Sequence, residues 1–370
     1  TSATDAYNVA VGDLAGFSIT TGIMNTLVGG LAGDALTDAD YNVAIGFHAL
    51  GGDTLGSRSV AVGTNALFSQ NFTSATDAYN IGIGFSAGLS VTTGVENTLI
   101  GGLAGDAITT GYYNTALGKD ALGTNTLSSL NVAIGHSALK TMSAGNAETH
   151  NVAVGASAGQ AVTTGVKNTF IGGLAGDALT GARFNVSLGY GSLGADTLGN
   201  HSTAIGYLAL NAQNFTSDTD PFNTAVGSLA GTAITTGYYN TLIGGLAGDS
   251  LTDSDFNVAL GFNALAAETL GGYNTAIGCY ALDAQNSTSA TATYNTALGY
   301  AAGSAVTTAT RNVIIGANAG DALTTTGNNV AVGYDALGAD TLGGFSTAIG
   351  YGALGSQNFT SGASSHNVAV

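Results

Sequence analysis

The sequence predicts an all-β fold, a parallel β-solenoid of about twenty rungs, and three observations point to it. A five-residue pattern, Asn-[Val/Thr]-Ala-[Val/Ile]-Gly, recurs through all 370 residues, mostly at steps of 17. Its second position is β-branched in every copy and its fourth is always Val, Ile or Leu, which suits a strand. Its fifth is always glycine, the residue for a corner with positive φ or a close backbone approach. A period this short excludes helix-pair repeats, which need more than about thirty residues.

The pattern starts at Asn8, Asn25, Asn42 and Ser59, then at Asn80, Asn97, Asn114 and Asn131. It continues at Asn151, Asn168, Asn185 and Ser202, at Asn223, Asn240, Asn257 and Asn274, and at Asn295, Asn312, Asn329 and Ser346. A further copy opens at Asn367. Every fourth step is 21 residues, with one of 20, so five blocks emerge: 8–79, 80–150, 151–222, 223–294 and 295–366. The order within a block repeats. Positions eight and nine read Ala-Gly in the first two rungs (Ala15-Gly16, Ala32-Gly33) and Ala-Leu in the last two (Ala49-Leu50, Ala66-Leu67), with Ser192 as the exception. The expected organisation is one continuous array over residues 1–370. The segment TSATDAY at Thr1–Tyr7 recurs at Thr73–Tyr79, so the chain reads as an excerpt of a longer polypeptide.

A second apolar strand is expected around Ile19, Leu36 and Leu55, with corners joining two or three short strands per coil. Coils about 4.8 Å apart would give a rod on the order of 95 Å. Stacked asparagines, which open seventeen of twenty rungs, would form an amide ladder along the axis. Position three is apolar as well, mostly Ala but Leu27, Leu99, Phe170, Leu242 and Ile314 in the second rung of each block. A strand apolar on both faces is covered on both. One cover is the coil's interior, and the other is expected to be a second copy of the chain, most simply in a trimer.

Composition narrows the function classes. Six Lys+Arg against 23 Asp+Glu give a net charge of −17, which argues against nucleic acid or an anionic membrane as partner. The single cysteine, Cys279, excludes an intrachain disulfide framework, and no run of 18 apolar residues is present for membrane insertion.

STAIGYLAL at Ser202–Leu210 and STAIGYGAL at Ser346–Leu354, together with the Asn-x-Ala-Ile-Gly rungs, carry a resemblance. The array resembles the YadA-like heads of trimeric autotransporter adhesins and the related Asn-Thr-Ala-Ile-Gly arrays of phage tail fibres and bacterial surface fibres. The resemblance implies a left-handed β-roll, trimeric, extracellular or on a virion, acting as a rigid spacer with an adhesive or host-attachment role. The 17-residue rungs depart from the shorter rungs of the adhesin heads. No coiled-coil stalk, barrel anchor or fibre chaperone accompanies them in this excerpt.

Local motifs are weaker. GGLAGD at Gly29–Asp34, Gly101–Asp106, Gly172–Asp177 and Gly244–Asp249, with GANAGD at Gly316–Asp321, looks like a phosphate loop. Five copies without a following Lys-Ser/Thr read instead as structure. The column Asp34, Asp106, Asp177, Asp249 and Asp321 raises calcium, but one carboxylate per block falls short of six to eight oxygens. The acids Asp53, Asp196, Glu268 and Asp340 of the next rung could assist only from the same edge. Solvated turn acids are the expectation. His48, His136, His150, His201 and His366 have no metal spacing.

Aromatic residues form two columns, one before the pentad (Tyr41, Tyr79, Tyr239, Tyr273 among them) and one after its glycine (Phe47, Phe85, Tyr190, Tyr207 among them). Packing at a subunit seam is expected of them, with glycan stacking the alternative. Asn71, Asn214, Asn286 and Asn358 each begin Asn-x-Ser/Thr in the Ser/Thr-rich long rungs, which would project every ~19 Å along one edge. No residue is singled out as catalytic, cofactor-binding or metal-ligating, and no enzyme or cofactor is expected. The alternatives are an ice- or surface-binding solenoid, disfavoured because Thr pairs such as Thr20-Thr21 do not recur at every rung as a regular lattice, and a fibre-borne glycan depolymerase, disfavoured because no unique acid pair breaks the repeat.

Overall fold

A computed structural model describes residues 5–145 and 147–370, so residues 1–4, the start of the TSATDAY segment, lie outside the described residues. Two compact units are present, Thr1–Phe184 and Asn185–Val370. Each is a parallel β-solenoid. In the first, ten three-residue strands from Val9–Val11 to Thr169–Ile171 pair in succession, in parallel. In the second, ten such strands from Val186–Leu188 to Thr347–Ile349, and a final Val368–Ala369, do the same. Register is strict: Val9, Ala10 and Val11 face Thr26, Leu27 and Val28, and this pairing continues rung by rung within each unit. No helix occurs among the described residues.

The interior lies on the side of position three. Ala44, Ala61, Leu99, Phe170 and Leu242 are fully buried, whereas positions two and four face outward. The alanine of position eight joins the core, together with position nine or twelve. Position nine is left-handed throughout, as glycine in the first two rungs (Gly16 φ 63°, Gly33 φ 55°) and as leucine in the last two (Leu50 φ 54°, Leu67 φ 51°). The reason is volume. A Cβ on Gly33 would lie 2.7 Å from Leu36 Cδ1 and 2.9 Å from Leu27 Cδ2, so those side chains fill the space above it. Where leucine takes position nine, position twelve becomes Asp53 or Gln70 instead of Leu36, and Ala44 or Ala61 replaces Leu27. Constant interior volume therefore explains the four-rung block. Ser187 and Ser192 replace two facing alanines together, and their hydroxyls meet at 2.5 Å.

The expected second strand is not a strand in most rungs. Leu36 is buried and Ile19 packs against the core, but the segment is bend and turn. Two-residue parallel pairs form only beside long rungs: Gly56–Ser57 with Thr76–Asp77, Gly271–Gly272 with Thr291–Ala292, and Gly343–Gly344 with Ala363–Ser364. Elsewhere the segment is held rung to rung by threonine at position thirteen. Thr37 donates both its N–H and its Oγ1 to Thr54 O, each at 3.0 Å, and Thr109 repeats this on Thr126.

The buried asparagines do two jobs. Asn97 donates from Nδ2 to Gly111 O (2.9 Å), fourteen residues ahead in its own rung, and its Oδ1 accepts the N–H of Asn114 in the next (3.1 Å). Amide-to-amide contacts of 3.2–3.3 Å accompany these bonds. The asparagine is thus a clamp across one rung as well as a ladder between rungs. Glycine at position five makes the corner: Gly46 has φ 133°, and a Cβ there would sit 2.6 Å from Gly63 O.

Replacing Asn97 with alanine leaves a buried carbonyl and a buried N–H unpaired, at about 1–3 kcal/mol each. The expected loss is about 2–5 kcal/mol in denaturant unfolding, with hydrogen-exchange protection lost at the Asn114 amide. Gly46→Ala adds a strained φ, about 1–3 kcal/mol, to a backbone collision. It is expected to lower the unfolding midpoint more than Ala substitution of an exposed loop glycine such as Gly362, measured side by side.

Candidate functional site

The outward strand face carries exposed or partly exposed apolar side chains in every rung. Positions two and four of each rung place Val, Ile, Leu and the Thr methyl outside, and flanking columns add aromatic rings. In one rung the order is Tyr41, Val43, Ile45, Phe47; in another, Phe256, Val258, Leu260, Phe262. Ile45 is 39% exposed, Leu260 43% and Leu298 45%. At about 3.3 Å per residue and 4.8 Å per rung, ten rungs of this stripe cover roughly 700–1,000 Å². Apolar patches on typical monomers reach only about 300–600 Å².

The aromatic column before the pentad is left-handed throughout, from Tyr41 (φ 59°) to Tyr294 (φ 54°), which turns the rings outward. In the second unit the rings stack on one another from His201 to Tyr273, and Tyr294 packs against Tyr273 at a tilt. Centroid separations are 5.0 Å for His201–Phe222, 5.9 Å for Phe222–Tyr239, 5.0 Å for Tyr239–Phe256, 4.8 Å for Phe256–Tyr273 and 5.2 Å for Tyr273–Tyr294. Faces turned toward neighbouring rings are not open platforms for a sugar, and the ring edges are what this column presents. In the first unit the column carries Arg58, which lies 4.7 Å from the Tyr41 centroid and pairs with Asp77 at 2.9 Å.

The GGLAGD turns spend their N–H groups on stacking rather than on an anion. Leu103 N donates to Phe85 O (2.9 Å), Ala104 N to Gly101 O (3.2 Å) and Gly105 N to Ala121 O (2.9 Å).

Neither acidic column is made of solvated turn acids. Asp53, Asp196, Glu268 and Asp340 are fully buried. Asp53 Oδ1 accepts the N–H of Gly56 (3.0 Å), and Oδ2 accepts Gln70 Nε2 (2.6 Å). Gln70 Oε1 in turn accepts Asn80 Nδ2 (2.9 Å). The same carboxylate–carboxamide couple recurs as Asp196–Gln213, Glu268–Gln285 and Asp340–Gln357. The glutamines escape a sequence reading that follows charge; their alignment at position twelve was the available signal.

Asp34, Asp106, Asp177, Asp249 and Asp321 are half-buried, and no acid of the Asp53 column is among the charges that act on Asp106, Asp177, Asp249 or Asp321. One carboxylate oxygen of Asp34, Asp249 and Asp321 is buried without a hydrogen-bond partner. Among the described residues no group of three or more His, Cys, Asp or Glu converges on a common point. The histidines are scattered: His48 lies between Phe47 and Phe68, His366 against Phe345, and His150 3.7 Å from Glu148.

Asn71, Asn214, Asn286 and Asn358 are exposed, and each accepts a threonine hydroxyl from the preceding rung, as Asn71 does from Thr54 (3.0 Å) and Asn286 from Thr269 (3.0 Å). They continue the threonine column of position thirteen. That column of single threonines recurs at single-rung steps, where the adjacent Thr pairs do not, but many of its hydroxyls donate to carbonyls of the next rung.

Burial raises the pKa of Asp106, Asp177, Asp196, Asp249, Asp283 and Asp321 above the ordinary aspartate value. Nearby Asp120 and Asp335 push Asp106 and Asp321 further. A raised carboxylate binds its proton more tightly folded than unfolded, so stability rises as pH falls through the folded values toward the ordinary one. Asp120, held low by Lys119, opposes this. The melting temperature is expected to increase by about a few degrees between pH 7.5 and pH 5; a steady decrease in calorimetry over that range would contradict the assignment.

Compared with protein-family models and with curated proteins, the chain matches none.

Proposed function

We propose that this chain is a structural repeat segment of an extracellular or virion fibre, assembled as a homotrimer and serving as a rigid spacer with an adhesive or host-attachment role. The observation that carries this reading is the outward apolar stripe, present at every rung and flanked by aromatic columns. Water is a poor neighbour for such a surface, and burying it gains roughly 25 cal/mol per Å² of apolar area. A second copy of the chain fits best, because only a surface with the same rung spacing matches the stripe along its length. The number three comes from the resemblance to trimeric β-roll adhesin heads and fibre arrays. The net charge of −17 suits a filament whose assemblies repel one another except along that stripe. In this reading the chain performs no catalysis.

Light scattering or sedimentation equilibrium at micromolar concentration is expected to return three copies per particle. Leu260→Asp with Leu298→Asp should release monomers while preserving the β circular dichroism, since both side chains are already more than 40% exposed in the single chain. A wild-type monomer at those concentrations defeats the trimer. Binding to host-cell surfaces by the wild-type assembly, and none by a matched unrelated fibre, checks the attachment role.

A further inference from the structure

The repeat supplies its own controls, because a residue that departs from its column at one block can be compared with four others. Several departures converge at the fourth long rung and the rung after it. Position fourteen of the long rung is Phe72, Phe215 and Phe359 in three other blocks, the first two of them buried, but here it is Ser287. Position nineteen is Asp77 and Asp220 in blocks one and three, but here it is Ala292. In the rung that follows, position sixteen is Ile23, Val95, Val166 or Tyr238 elsewhere, but here it is Thr310. These positions touch: one block earlier, Phe215 and Tyr238 pack with centroids 5.2 Å apart. The exchange of Phe-Tyr for Ser-Thr replaces an apolar seat with a cleft of about 380 Å³.

The chemistry of that cleft is specific. Its walls are Ser287–Ala292 on one side and Thr308, Thr310 and Arg311 on the other. Thr288, Thr308 and Thr310 make no side-chain hydrogen bond among the described residues, and Arg311 is exposed with no ion pair among them. In the first block the cation of the same column, Arg58, is neutralised by Asp77 of the long rung, whereas residues 284–294 of the long rung beside Arg311 carry no acid. Glu268, one methylene longer than the aspartate at its column in three other blocks, accepts the N–H of Ser287 at 2.9 Å and its hydroxyl at 3.1 Å, so the opened site is braced from below.

We propose that this cleft binds a carboxylate-bearing saccharide unit, a uronic or sialic type of sugar acid, with Arg311 holding the carboxylate and the threonine hydroxyls meeting the sugar hydroxyls. A guanidinium matches a carboxylate with two parallel N–H donors. Free hydroxyls on two walls suit a ligand that is itself rich in hydroxyls, and the volume falls within the range of small-molecule sites. Ala292 at position nineteen spares the ligand a repulsion that Asp77 or Asp220 would impose in blocks one and three. The proposal deepens the attachment role above, and assembly is measured separately on the same samples.

The test is ligand-observed NMR with titration of the intact chain, using methyl glucuronide and N-acetylneuraminic acid, with methyl glucoside and inorganic phosphate as comparison arms. At least one sugar acid is expected to bind in the millimolar range, with methyl glucoside and phosphate at least about tenfold weaker. Arg311→Gln should weaken it about 10–100-fold. The double variant Ser287→Phe, Thr310→Tyr installs the pair that block three already accommodates and should abolish binding while circular dichroism and particle mass stay unchanged. Absence of saturation transfer from either sugar acid at about 20 mM overturns the proposal, as does binding that both variants leave intact. Equal binding of phosphate with no contribution from the sugar reduces the site to an anion contact and also overturns it. A trimer that binds no sugar acid removes only this inference, whereas a monomer that binds one removes only the trimer.

Discussion

The structure depends on one buried side chain used twice. The asparagine that opens a 17-residue rung closes that rung on a carbonyl fourteen residues ahead and accepts the N–H of the next asparagine or serine. A buried amide cannot be left half-paired, so both bonds constrain the chain between them. The closing bond sets the rung length. All fifteen 17-residue rungs have it, from Asn8 to Gly22 O through Asn329 to Gly343 O. The five longer rungs, which open at Ser59, Asn131, Ser202, Asn274 and Ser346, carry no such bond among the described contacts. Serine is too short to make it, Asn131 turns back to Ser129 O, and Asn274 turns to Asn257. Extra residues enter only where the clamp has been released.

Releasing a clamp leaves the polar column to be completed by other means, and the repeat contains two solutions. Where serine opens the long rung, a glutamine at position twelve reaches the next asparagine, as Gln70 does to Asn80 and Gln213 to Asn223. Where asparagine is retained, a buried threonine caps its oxygen, as Thr149 does for Asn131 and Thr293 for Asn274, both at 2.7 Å. The glutamine needs its own acceptor, which is why a carboxylate sits in the preceding rung at the same position. Asp53 and its equivalents are therefore structural acids, stabilised by backbone N–H groups and a carboxamide instead of a cation. In block two, Met142 replaces the glutamine and Asn125 the acid, and the couple disappears as a unit.

Much of this was legible in the sequence. The pentad, its in-register stacking, the corner at glycine and the four-rung block are all readable from period and residue type, because backbone geometry repeats wherever the residues do. Burial was harder to read. Positions two and three are both apolar, so alternation alone does not say which faces inward. The second segment around Leu36 looked like a strand because its inward residue is large and apolar. Its backbone instead turns, held by Thr37 and its equivalents on the neighbouring rung. The acids at Asp53 and Asp196 looked solvated because charge is usually outside. The partner glutamine seventeen residues on, together with backbone N–H groups, is what stabilises them inside.

Size, more than hydrophobicity, separates the two faces of the strand. The interior of a coil this narrow admits alanine at position three in most rungs and one large residue per block, with Gly16 and Gly33 clearing the space around Leu27. No such limit acts on positions two and four, which hold β-branched and long aliphatic side chains without exception. A face built only to support the strand could have used threonine throughout, since threonine has the same β-preference and tolerates water. Position four never does. Twenty consecutive choices of Val, Ile or Leu on an outward position are not required by the coil itself, and this is what the proposed interface between copies accounts for.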